Sequence, residues 1–510
     1  MRFWRRICKG DVGYPCPTVL CFALVLIAVF SSLALGLGVD LSVANHLQYQ
    51  IGDEVSPFIS AAYPDNLVER RFFENLTYVD LYIGEVRIGF RYDHFEPSDV
   101  DQRLWALSRE SGIDKRFIEW SHGGLDFRAG HFPAIFGHGL TLYLFEDRLL
   151  YHDTELDGIK LSFRQGPVQF TALKGDSREW GTVHAASIIG VNAEASIQDF
   201  LLGVNYVKMD SGAYPEADLP GAYADFSFGP FAIYGEYAAK ATKIIDTHWG
   251  DAVYLSGSYA GSGFSLFADY KYYDYQGVTP FQNPPIVQRE LTMRLIQSRE
   301  PHVVSFDDEV GFQIEGQVTP AEWGTFTVNY TQSSAIVGRD IIPSDDQENR
   351  PFIEMLLEAD LTPVENHRAR LGVVHDEEAR ALFFEKKLGF YTEWESDLWD
   401  PYGTILLVEG LQVNDELRDR QFQDWLLEAT VTHSPEIAAS VNYQFTTDED
   451  LEAREGETWW SGEMSYSFGE GSHTLRVFYG KERGGLKCTG GVCRMVQAFR
   501  GLKISLDSSF

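Results

Sequence analysis

Basic side chains are scarce in this 510-residue sequence: 42 Lys and Arg stand against 75 Asp and Glu, a net charge of −33 at pH 7. A surface that neutralises phosphates needs the opposite balance, so nucleic acid is excluded as a partner. Long apolar runs are as rare. Only VLCFALVLIAVFSSLALGLG, residues 19–38, could cross a bilayer as a helix, which excludes a polytopic helical membrane protein. Cysteine amounts to 5 residues, and Cys8, Cys16 and Cys21 lie before position 38. No G-x-S-x-G elbow occurs, and His–acid neighbours such as His152–Asp153 are isolated pairs, so an enzyme is not expected. Aromatic residues, by contrast, are plentiful at 35 Phe, 25 Tyr and 11 Trp, which separates this acidic chain from disordered ones.

Residues 1–38 read as a secretory signal, with Arg2, Arg5, Arg6 and Lys9 ahead of the apolar run and small residues near Ala34 and Gly36. An uncleaved anchor is the alternative. Residues 39–510 then form a single mature domain. Cys488 and Cys493 enclose Thr-Gly-Gly-Val, a spacing that suits a hairpin tip closed by a disulfide in an oxidising compartment; two free thiols are the alternative. A zinc site would need further ligands nearby, and neither a metal nor a cofactor is expected.

Beyond residue 41, apolar and polar residues alternate in runs near ten long. Ile437, Ala439, Val441, Tyr443 and Phe445 interleave with Ala438, Ser440, Asn442, Gln444 and Thr446; Val86, Ile88, Phe90 and Tyr92 interleave with Arg87, Gly89, Arg91 and Asp93. Successive strand residues point to opposite faces, so each run has one apolar and one polar face. Tight links such as Ile83-Gly84-Glu85, Gly123-Gly124, Gly229-Pro230 and Gly469-Glu470-Gly471 alternate with longer polar ones near 95–115, 210–219, 275–307, 334–351 and 446–457. That alternation defines a transmembrane antiparallel up-and-down β-barrel, with short periplasmic turns, external loops and about 24 strands (roughly 22–26). Strands leaving the tight turns are expected near 41, 86, 125, 168, 200, 231, 264, 324, 366, 403, 437 and 473. Returning strands are expected near 72, 116, 156, 184, 220, 251, 308, 352, 382, 421, 457 and 493, which leaves no room for an N-terminal plug. No 40-residue blade signature argues for a propeller.

Leu502, Ile504, Leu506 and the terminal Phe510 share one face of the last run, which resembles the assembly signal of bacterial outer-membrane proteins. The pairing of FGHGLTLYLFEDR (136–148) with RGGLKCTGGVCR (483–494) resembles a functionally uncharacterised family of Gram-negative outer-membrane barrels. The resemblance implies the bacterial outer membrane as location and a porin-like barrel as architecture. It implies no particular activity. The partners expected are outer-membrane lipid and lipopolysaccharide, the assembly machinery, and divalent cations at acidic loops (Asp345, Asp346, Glu348; Asp376, Glu377, Glu378; Asp448, Glu449, Asp450).

The apolar faces should meet lipid, with Trp120, Trp459, Trp460 and Tyr272 as girdle candidates. Among inward residues, Glu354, Glu358 and Asp360 precede a turn near Pro363 and Arg368 and Arg370 follow it, a set suited to bracing the wall and patterning the pore's field. The aromatic stretch 131–155, with His131, His138, Glu146, Asp147, Arg148 and His152, is either strand extension or a constriction folded into the lumen. The Pro/Gln-rich stretch 278–288 is a second candidate lid. The expected function is a channel for small hydrophilic solutes with cation preference; the alternative is a closed scaffold whose lumen or loops bind a partner protein.

Overall fold

The computed structural model describes residues 39–55, 67–96, 111–148, 152–178, 185–211, 216–243, 247–275, 281–289, 302, 305, 308–380, 383–451, 456–489, 492–496 and 498–510. The predicted leader therefore lies outside the described residues. Those described form one closed antiparallel sheet of 24 strands. Each strand pairs with its chain neighbour, and closure comes from Asp40–Val55 lying against Ala498–Ser509, with Ala44 opposite Ser509 and Val55 opposite Ala498.

Strands leaving the tight turns begin within a residue of the positions the alternation predicts, from Asp40–Val55 through Leu125–Phe132 to His473–Glu482. Several returning strands start four or five residues earlier than predicted, as Leu67–Ile83, Gly112–His122, Glu216–Phe228 and Thr247–Gly261 do. Hydrogen-bond pairing continues there past the apolar band, where outward residues have no need to be apolar. One predicted start is wrong: the last strand begins at Ala498, because Val492–Val496 pairs with Gly485–Thr489 in a separate hairpin. In that hairpin Cys488 stands opposite Cys493 in register.

Outward residues are apolar and exposed along the strands, as at Val204, Leu357 and Val441 (65% exposed), which is what a lipid-facing band requires. Aromatic rings mark its two edges. Phe228, Phe231 and Trp399 are exposed at the turn end. At the loop end the Tyr206 hydroxyl donates to Asp218 (2.5 Å) and that of Tyr237 to Asp251 (2.6 Å). Trp460 is exposed outward, but its neighbour Trp459 is 2% exposed under the Arg483 guanidinium (5.4 Å to the ring centre). Adjacent strand residues face opposite ways, so only one of the pair can serve a girdle, and Trp459 is the inward one. Gly124 shows why the turns take glycine: its φ is +85°, and a Cβ would sit 2.4 Å from the Arg164 carbonyl of the next hairpin.

At the seam, Leu502, Ile504 and Leu506 stand opposite Ile51, Tyr49 and Leu47 on one side and Tyr479, Val477 and Leu475 on the other. Phe510 extends the ladder, exchanging backbone hydrogen bonds with Val43 (2.9 and 3.2 Å). Outward parity is a strong constraint here. Val441→Arg, in the middle of the outward face of Ile437–Thr446, should cost about 2–4 kcal/mol in urea unfolding from lipid vesicles. Ser440→Arg, on the inward face, should cost less than half as much; equal costs would contradict the assignment of faces.

Candidate functional site within the lumen

The segment after Leu125–Phe132 does not extend the strands but folds into the barrel. Its hairpin pairs Ala134–Phe136 with Leu142–Leu144. Phe136, Leu142 and Leu144 bury against inward Leu173, Ile188, Val207, Met209 and Leu219 of the wall. At the tip, Leu140 packs with Tyr223, Tyr234, Tyr254 and Tyr273. Tyr223 gains its place because Gly203 lies beneath it, where a Cβ would approach the ring to 2.1 Å. His138 stacks on Tyr234 at 3.8 Å between ring centres, and its backbone N–H donates to Glu236 (2.6 Å).

Ion pairs fasten the other end. Arg91 donates to Glu146 (2.7 Å), to Asp93 (2.8 Å) and to Asp114. Lys115 reaches Glu146 (2.8 Å), Glu155 (2.8 Å) and Asp153 (3.0 Å), and Arg148 meets Glu74 (2.5 Å). The second long connection joins the first: the Tyr143 N–H donates to the Phe281 carbonyl (2.9 Å) and the Gln282 amide to the Leu140 carbonyl (2.8 Å). Arg289 then bridges Glu315 (2.6 Å) and Glu358 (3.2 Å). His302 sits between Glu378 (2.9 Å) and Glu309 (3.5 Å), stacked on Phe352 at 4.0 Å. Together the described residues of the two connections form a partition against the inner wall, touching strands from Leu67–Ile83 round to His367–Arg380.

The three histidines of 131–155 are not brought together. His131 is on the wall strand, accepting from the Arg116 N–H (3.4 Å); His138 is at the tip; His152 lies beside Phe145, opposite Asp147. Among the described residues no group of three or more His, Cys, Asp or Glu is arranged to hold a metal. Of the five wall charges, Asp360 receives Arg368 (2.8 and 2.5 Å) and Arg370 (3.5 Å), and Arg370 continues to Glu393 (3.3 Å). Glu354 and Glu358 pair with neither arginine. A strand rises about 3.4 Å per residue, so Glu354 stands roughly 20 Å up the wall from Asp360. It faces Asp376 instead, while Glu358 takes Arg289 and the Tyr391 hydroxyl. The expected loop triplet Asp376, Glu377 and Glu378 belongs to the strand His367–Arg380, with Glu378 buried, and Asp448 is held by Arg420. Arg91, Lys115, Glu236, Arg289 and His302 were missed by the sequence reading. The inward parity of Arg91 was visible, but its partner 55 residues away was not.

A closed barrel with a lipid-facing apolar band, two aromatic edges and a charged lumen defines an outer-membrane β-barrel of channel-like form. The chain belongs to a family of unknown function, DUF6029, whose profile matches residues 19–279 and 411–510. No curated protein matches the sequence. Among solved structures, the Escherichia coli P pilus tip assembly intermediate PapC-PapD-PapK-PapG is similar at 11% identity over 92% of this chain and 60% of that one, with a TM-score of 0.51. The P pilus usher (PapC) translocation pore is similar at 10% identity over 92% and 99%, TM-score 0.49. Pseudomonas aeruginosa OccK9 (OpdG) is similar at 12% over 69% and 98%, TM-score 0.41. Identities this low speak for the fold alone.

Protonation differs between the carboxyls of the ion-paired stretch 146–155, which latches the segment to the wall. Burial resists ionisation of Glu146, but Lys115 and Arg91 outweigh it and hold the carboxyl at about 2. Burial raises Asp153 to about 6, reinforced by Glu146 and Glu155 and opposed by Lys115. Burial lowers His138, leaving it neutral at pH 7. Burial also opposes charge on His302, but its hydrogen bonds to Glu309 and Glu378 outweigh that and raise it. These shifts pull docking of the latch in opposite directions. The Glu146 contribution is complete above its free value of 4.5 and is lost as pH falls towards 2. Asp153 binds its proton more tightly when docked, so its contribution is largest below its free value of 3.8 and is lost as pH rises through 6. A spin label at position 147 should therefore be least mobile near about pH 4 and looser above 6 and below 2. Asp153→Asn should abolish the change between pH 4 and 7; a variant that keeps it would disprove this assignment.

Proposed function

We propose that the protein is a passive channel for small hydrophilic solutes, narrowed by the two-loop partition and selective for cations. The partition carries this reading, because it lines an otherwise wide polar lumen without adding a catalytic constellation among the described residues. The cation preference rests on the acidic balance and on Glu354 with Asp376, a pair that holds one proton between its carboxyls and so one negative charge. These face each other in register on adjacent strands, and Glu354 Oε1 and Asp376 Oδ1 are buried with no protein donor among the described residues. In a potassium chloride gradient across a planar bilayer, the reversal potential should take the sign of potassium selectivity. Glu354→Gln with Asp376→Asn should lower the permeability ratio about twofold, and deletion of 134–153 should raise unit conductance at least about twofold. A silent barrel that co-purifies with a bound chain would favour the scaffold alternative.

The leader is proposed to be cleaved near residue 38, and the last strand, with Leu502, Ile504, Leu506 and Phe510, to be read by the assembly machinery. The register of Cys488 and Cys493 supports a disulfide between them. Alkylation of the unfolded, unreduced mature protein should leave both cysteines unmodified, and prior reduction should expose both; modification without reduction would show free thiols.

A further inference from the structure

A cleft of about 460 Å³ opens to the lumen where the hairpin, the second connection and the wall meet, a volume in the range of small-ligand sites. The hairpin buries Phe136, Leu142 and Leu144 and turns the opposed pair Ile135 and Tyr143 to the other side, leaving Ile135 52% exposed. Exposed apolar surface inside a polar conduit calls for an occupant with an apolar body. Phe267 of the wall and Pro285 of the second connection complete the apolar lining. Asp269 is the acidic residue of the cleft, and neither Lys nor Arg lines it among the described residues. The Asp269 carboxylate accepts from the Tyr254 hydroxyl (3.1 Å) and retains further lone pairs, since a carboxylate can accept about four hydrogen bonds. The rings that line the cleft beside the acid are those of Tyr143, Phe267 and His138, while Tyr254 is buried behind Asp269.

We infer that this cleft binds small organic cations, ammonium compounds carrying an apolar or aromatic body. The carboxylate and the ring quadrupoles attract the positive head, and Ile135, Tyr143 and Pro285 cover the body. The inference rests on the reading that solutes traverse this lumen, although the binding itself needs no current. An anion of the same shape meets Asp269 unfavourably, and a neutral sugar makes no use of its charge.

Calorimetry on the full barrel in detergent, with benzyltrimethylammonium as probe, tests it. Saturable binding should be at least about tenfold tighter than that of benzyl alcohol, with benzoate and maltose weaker still. Asp269→Asn, verified as folded by its gel mobility before and after heating, should lose about tenfold for the ammonium and little for the alcohol. Equal affinity for ammonium and alcohol, equal or tighter binding of maltose, or unchanged ammonium affinity in the folded variant would overturn the inference. The comparison of probes on the unmodified protein decides the matter if the variant does not fold. Conductance without ammonium binding would sink this site and leave the channel standing. Binding without conductance would do the reverse.

Discussion

The architecture depends on one constraint: a backbone N–H or C=O facing hydrocarbon without a partner costs several kcal/mol, so a sheet in lipid has to close. Here the closing contact is the ladder between Asp40–Val55 and Ala498–Ser509. Its register matches apolar residues across both edges of the last strand, so the seam is also continuous for the lipid. Closure with 24 strands has a geometric consequence. Barrel diameter grows with strand number, and at this width inward side chains no longer meet across the axis. Anything that narrows the lumen must come from chain outside the wall.

The apolar surface is divided accordingly. Most of it points outward into lipid, where packing drives little. The buried clusters formed by Phe132, Leu142, Leu173 and Met209, and by Leu140, Tyr254 and Tyr273, lie between the folded-in connections and the inner wall. The partition is therefore a small core built on the inner face of the sheet. Among the wall's departures from polar inward parity, those at Leu173, Ile188, Val207 and Leu219 occur where the hairpin rests. This relation also accounts for the aromatic character of 131–155, which sets it apart from the other long connections.

The wall was legible because a period of two repeats over some ten residues in each strand, and a one-residue slip would turn every side chain to the wrong face. Positions such as Val86, Phe264 and His473 open strands where the alternation begins. Trp459 and Trp460 show the limit of residue type as a guide, since both are tryptophan and parity alone separates them. Cross-strand charges were legible when a tight turn fixed the register, as for Asp360 with Arg368. Those that depend on an inserted connection were not. Glu358 with Arg289 joins residues 69 apart, and Arg148 with Glu74 joins residues 74 apart, through chain whose path no local pattern encodes. The choice between strand extension and inserted loop for 131–155 was open for the same reason. Only the inward apolar patch on distant strands decides it.

The partition's two kinds of attachment differ in what can loosen them. Burying Phe136, Leu142 and Leu144 contributes about 1.5–3 kcal/mol per side chain and involves no titrating group. The charged contacts of Glu146 and His302 contribute about 1.5–3 kcal/mol per hydrogen bond at best and depend on protonation, whereas ionisation of Asp153 weakens docking. These contacts lie beyond the hairpin in sequence, whereas the hairpin itself rests on the apolar patch of the wall. A change in pH therefore acts first on these contacts, while the hairpin with Ile135, Tyr143 and His138 keeps its place against the wall. Release of the contacts at Arg91 and Lys115 would leave the cleft beside Asp269 in place. On the proposed function, passage and recognition would then depend on separate parts of one inserted layer, the first electrostatic and adjustable, the second apolar and fixed.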